Sequence, residues 1–195
     1  MKRILLSCAM LLGIAVAANA ADVKTTTGAN GKPRFEASDK ITAESTVLSV
    51  NKTKRTLKIV NADGDTVVVE CGPEVKNFAQ IKAKDKVTVT YTEKLVVEVA
   101  GGPGSPAAGT EATSTSAKPG EKPKGSMTQK THYKATITAI DKAAGTVALK
   151  GVDGHEITIT PRNKANLDKV AVGDVVTFTY TENLAASVTT PAAAK

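Results

Sequence analysis

Apolar and polar residues alternate in short runs through two stretches of this chain, Thr46–Val99 and Thr136–Val188, and a period of two marks half-buried β-strands. In the first stretch the expected strands are Thr46–Val50, Arg55–Val60, Thr66–Cys71, Val87–Thr92 and Leu95–Val99. Val47 and Val50 break the alternation of the opening strand once, which calls for a bulge or a strong coil. Asp63-Gly64 is a hairpin signal, and Lys84-Asp85 and Glu93-Lys94 read as turns. Between Gly72 and Asp85 the period lengthens. Pro73-Glu74 suits a helix start, and Val75, Phe78 and Ile81 recur at near-helical spacing, so a short helical plug is expected there.

The second stretch repeats this plan. Thr46 aligns with Thr136, Val50 with Ile140, Leu57 with Val147, Ile59 with Leu149 and Gly64 with Gly154 at a constant offset of ninety. One residue is dropped between Gly72 and Asn77. Phe78 then aligns with Leu167, Ile81 with Val170, Asp85 with Asp174, Tyr91 with Tyr180, Glu93 with Glu182 and Val99 with Val188 at eighty-nine. Matches that keep apolar and turn positions together signify a repeated fold. Three strands, a short helical plug and two strands is the order of an OB-like barrel, so the expected class is all-β, with two tandem five-stranded OB-like β-barrels. The expected divisions are a signal peptide over 1–20, a flexible arm over 21–40, a first barrel over 41–99, a disordered Gly/Pro/Ser/Thr linker over 100–130, a second barrel over 131–188 and a tail over 189–195.

The leader reading rests on Lys2 and Arg3, the apolar run Ile4–Ala18 and the small-x-small triplet Ala18-Asn19-Ala20, which predict export and cleavage after Ala20 into the periplasm. That run is short and rich in small residues for a membrane span, and no later segment approaches one. Loss of Lys2 and Arg3 lowers the formal charge from +7 to +5, a modest excess that favours solubility. Aromatic residues are 3% of the chain and Trp is absent, which argues against stacking platforms for nucleic-acid bases.

Export leaves Cys71 as the one cysteine, either a buried inert thiol or the link of a disulfide-bonded dimer. No CxxC, HExxH, P-loop or dinucleotide fingerprint occurs, so neither an enzyme nor a cofactor is expected. His155 follows the Asp153-Gly154 turn, where the first copy has Asp65, and reads as a loop tip. Asp85 and Glu93 lie at opposite ends of one expected strand, too far apart to act on one bond. Tyr91 and Tyr180 share parity with the inward valines and read as core, with each hydroxyl reaching a rim.

The pattern of Val47-x-x-Val50-Asn51-Lys52, Asp63-Gly64-Asp65-Thr66-Val67 and Asn77-Phe78-x-Gln80-Ile81, ending at Tyr91, resembles small exported bacterial proteins built of tandem OB-like repeats. More distantly, the strand order and the Val172-Gly173-Asp174 turn are similar to the periplasmic copper chaperones of cation-efflux systems. That resemblance implies the barrel fold. The chaperones' site of His, Trp and two Met has no counterpart on the strands here, since Val60, Val67 and Val69 are aliphatic. The expected function is therefore a non-enzymatic periplasmic protein whose two tethered barrels bind an envelope component bivalently. The surface expected to carry it is Thr88, Thr90 and Thr92 with Thr177, Thr179 and Thr181. The alternative is metal handling by Cys71, Met127 and His132.

Overall fold

A computed structural model describes residues 22–191; the expected leader, 1–20, and the end of the tail, 192–195, lie outside the described residues. Ten antiparallel strands make one sheet. They are β1 (Asp22–Thr27), β2 (Pro33–Asn51), β3 (Thr56–Asn61), β4 (Thr66–Glu70), β5 (Lys86–Pro103), β6 (Ala107–Ser116), β7 (Lys124–Asp141), β8 (Thr146–Lys150), β9 (Glu156–Ile159) and β10 (Asp174–Thr189). β5 and β10 pair at the centre. Outward from β5 come β2, β3 and β4, and outward from β10 come β7, β8 and β9. β1 lies along the first part of β2 and β3 along its last part, and β6 and β8 share β7 in the same way.

The all-β expectation holds, but in place of two closed barrels there is one open sheet. The turn expected at Glu93-Lys94 does not form, because those residues carry no Gly, Pro or Asn and the alternation Val87, Val89, Tyr91, Glu93, Leu95, Val97, Val99 runs straight through them. The strand expected to close each barrel is instead the continuation of a long strand, and β5 and β10 use that length on each other. β4 and β9 keep a free edge. The local features fare better. The ladder between β2 and β3 shifts register between Val47 and Ser49, where the alternation breaks, and that between β7 and β8 shifts between Ile137 and Ala139. Gly64 and Gly154 take φ of 89° and 77° in the two Asp-Gly turns, a backbone that glycine adopts without a Cβ penalty. The plugs are short 3₁₀ segments, Phe78–Gln80 and Lys164–Lys169.

The expected arm and linker differ most. Residues 22–40 contain β1 and half of β2, and residues 100–130 contain the end of β5, all of β6 and the start of β7. Every residue of β6 is exposed, so main-chain pairing with β7 holds this strand and its side chains bury nothing. The two halves are thus joined by paired strands.

Two apolar clusters form the core. One gathers Val47, Leu57, Ile59, Phe78 and Ile81 from the first half with Val188 from β10. The other gathers Ala135, Ile137, Val147, Leu149, Leu167 and Val176 with Val99 from β5. Each half therefore borrows a valine from the far end of the other's long strand. The β5·β10 register places Val87 opposite Val188 and Val99 opposite Val176, so both clusters lie on one face of the central pair. A fully buried Val stabilises by roughly 1.5–3 kcal/mol, so each exchanged residue is a sizeable fraction of a domain's net stability.

Two ion pairs repeat the exchange. Lys32, in the turn between β1 and β2, reaches Asp174 Oδ2 at 2.7 Å, and Lys122, between β6 and β7, bonds Asp85 Oδ2. Asp174 is 4% exposed and Asp85 2%, and each also accepts a main-chain bond three residues back, from Ala171 and Lys82. Both aspartates lie just ahead of or at the start of a central strand, where a turn and an anchoring carboxylate coincide.

Candidate binding site

Beside the second cluster is a cavity of about 560 Å³. Its floor is the buried trio Ile137, Leu149 and Leu167, from β7, β8 and the second plug. Phe178 and Val176 of β10 and Leu95, Val97 and Val99 of β5 form one wall. Phe35 and Ala37 of β2 form another, placed by their register opposite Val97 and Leu95. The central strand pairing thus builds a cavity from both halves. Polar groups are confined to a few positions, among them Thr25, Arg34, Thr160, Arg162, Asn163 and Asn166. The Arg162 guanidinium carbon lies 5.5 Å from the centre of the Phe35 ring, over its face. Asn163 is committed to its own turn, where its side chain accepts from Ala165 N at 3.0 Å. Arg34 is neutralised by Glu36, Nη2 to Oε2 2.8 Å.

The first half is built differently at its plug. Arg55, at φ 51°, folds its side chain back over the plug. Its Nε donates to Cys71 O at 3.0 Å, its Nη2 donates to Gly72 O at 2.7 Å and Val75 O at 2.9 Å, and its guanidinium carbon lies 4.8 Å from the centre of the Phe78 ring. The aligned positions in the second half are Gly145, at φ 76°, and Leu167. Leucine for phenylalanine leaves a smaller side chain at the cavity floor, whereas at Gly145 the Lys164 side chain occupies the space beside the missing Cβ. Ile157 and Ile159, on the inner-facing parity of β9 opposite Leu149 and Val147, stay 53% and 36% exposed, and Ile159 lines the cavity. Nothing in the sequence pattern pointed to this cavity beyond the unequal pair Phe78/Leu167.

The six threonines expected to form a surface lie on β5 and β10, all half-buried and all on one face, opposite to the two cores. Thr88, Thr90 and Thr92 pair with Ser187, Ala185 and Asn183, while Thr177, Thr179 and Thr181 pair with Glu98, Val96 and Lys94. They occupy opposite ends of one continuous surface rather than the rims of two barrels. Thr88 and Thr90 line an open depression of about 370 Å³ with Thr115, Lys124 and Ser187.

Cys71, Met127 and His132 are not brought together. Met127 and His132 lie on β7 with opposite parity and point to opposite faces of the sheet. His132 Nε2 is 3.2 Å from Glu111 Oε1, while Cys71 packs against the first cluster. Burial pushes the Cys71 thiol above its ordinary value, and the nearby Arg55 offsets only part of that rise. His155 is exposed at its loop tip. No group of three or more His, Cys, Asp or Glu able to hold a metal ion occurs among the described residues. No helix among them is long and apolar enough to cross a membrane.

One relation between the halves went unseen in the sequence. Glu93 and Glu182 are direct partners across β5·β10, with Asp39 beside Glu93 on β2 and Gln129 beside Glu182 on β7. Tyr91 Oη donates to Glu93 Oε1 or Glu182 Oε1, each 2.8 Å away, and Tyr180 Oη donates to Glu93 Oε1 at 2.7 Å. Burial first, and then these carboxylates, push both phenols well above their ordinary range. The hydroxyls therefore remain donors across ordinary pH and separate two carboxylates that would otherwise repel.

Comparison of the chain with protein-family models, with curated proteins and with solved structures finds no match.

Proposed function

We propose that this is a non-catalytic binding protein of the bacterial envelope, exported by its leader, whose ligand is a small and mainly apolar molecule held in the cavity of the second half. The two halves are, on this reading, copies of one unit, of which the first has become the structural copy and the second the receptor. One observation carries the reading: an apolar cavity of about 560 Å³ lies beside the second cluster, floored by Leu167 where the first half has Phe78 beneath the Arg55 guanidinium. Its size falls within the roughly 300–1,000 Å³ of ordinary small-ligand sites, and its walls are apolar with a few polar groups, as such sites require.

Titration with a neutral, environment-sensitive naphthylamine dye tests it. The wild-type chain is expected to bind the dye saturably. Leu167→Phe, which installs the first half's residue in the floor, is expected to weaken binding at least tenfold while the chain stays folded. Absence of saturable binding, or equal binding by the folded variant, would overturn the reading.

A further inference from the structure

We infer that the ligand of this cavity is a single-chain anionic amphiphile, a long-chain carboxylate whose tail fills the apolar interior and whose head group meets Arg162. The inference rests on the cavity being a ligand site and names what that site selects.

The first argument is charge. The ionisable residues of the lining are Arg34 and Arg162, and no aspartate or glutamate is among them. Arg34 is paired with Glu36. Arg162 has no carboxylate partner among the described residues, and its guanidinium is held over Phe35 at the wall of the cavity. A guanidinium stacked on a ring keeps its edge donors free, and those donors match a carboxylate in bidentate geometry. Arg162 is exposed, so a bound head group stays in water and avoids the desolvation penalty that a buried ion pair incurs.

The second argument is volume. A cavity of about 560 Å³ lies in the range of sites that take one small ligand, room for a single alkyl chain. Each methylene moved from water into such walls contributes about 0.8 kcal/mol, so affinity comes from the tail and selection from the head. The first half supplies the contrast. Its guanidinium, Arg55, spends its donors on three main-chain carbonyls, whereas Arg162 keeps them for a ligand.

The test is displacement of the neutral dye from the full chain by dodecanoate, dodecanol and dodecyltrimethylammonium, at low and high salt, in wild type and in Arg162→Gln. Dodecanoate is expected to bind about fivefold more tightly than dodecanol at low salt and the ammonium more weakly than either, with the preference falling as salt is added. Arg162→Gln is expected to abolish the preference of dodecanoate over dodecanol, read as the ratio of the two affinities within the variant. Dodecanol binding as tightly as dodecanoate, or Arg162→Gln keeping the preference, would sink the inference while leaving the cavity as a site for neutral ligands. Failure of all three to displace the dye would overturn it as well.

Discussion

Lys32 Nζ stands 2.7 Å from Asp174 Oδ2, across 142 residues of sequence, and Lys122 makes the equivalent bond to Asp85 in the opposite direction. Each lysine belongs to a turn in one half and each aspartate to the start of a central strand in the other. Lys32-Pro33 and Lys122-Pro123 are themselves separated by the repeat's offset of ninety.

Lys32→Met is expected to destabilise the protein by about 2 kcal/mol, the value of a charge-assisted hydrogen bond whose acceptor is left buried. Lys122→Met should cost a similar amount. Urea unfolding of each variant measures both, and a change of a few tenths would mean the pairs are incidental.

Acid should act through the same pair. Burial pushes the Asp174 carboxyl up, but Lys32 and the amides of Ala171 and Gly102 together outweigh it and hold the group below its ordinary 3.8. A carboxyl lowered on folding stabilises fully above its unfolded value, and that contribution is lost as pH falls through the lower folded value. The acid limb of wild-type stability against pH is expected to be steeper than that of Asp174→Asn.

Alkali should act through Tyr91 and Tyr180. Groups raised on folding stabilise below their ordinary value of 10.0, and that stability is lost as pH rises above it. Ultraviolet titration of the folded chain should show two phenols ionising late. Glu182→Gln should bring Tyr91 down by removing one of the carboxylates that oppose its ionisation, and an unchanged titration would show the contact to be weak.

Arg55→Ala removes three bonds to main-chain carbonyls and the contact with Phe78. The expected loss is about 3 kcal/mol, combining charged hydrogen bonds with a half-buried cation–π contact. It should also slow the reaction of Cys71 with a disulfide reagent, since the Arg55 charge is what offsets part of the rise that burial imposes on that thiol. A destabilised variant whose Cys71 reacts no more slowly would separate the two effects.

Much of the fold was legible where side chains report on burial. The Asp-Gly turns, the bulge after Val47 and the core positions Phe78 and Ile81 all follow from local pattern. The errors share a cause. Glu93 stood where a turn was expected because it interrupts an apolar series, yet its parity with Tyr91 and Leu95 already placed it on the same face. β6 is written in Ala, Gly, Thr, Ser and Glu, and its main-chain bonds to β7 leave no mark on composition. The cavity was illegible for a different reason. Its lining is gathered from β2, β5, β7, β8, β9, β10 and the second plug, and which of those strands meet is set by the long β5·β10 pairing that the expected turn at Glu93 concealed.

The exchange of Val188 and Val99 between clusters has a kinetic consequence. The first half cannot complete its core until β10 has been synthesised, because Val188 pairs with Val87 across about a hundred residues of chain. Contacts of such sequence separation are made late and slowly, since the loop between them must be ordered first. The core of the first half is therefore expected to be completed only when β5 finds β10.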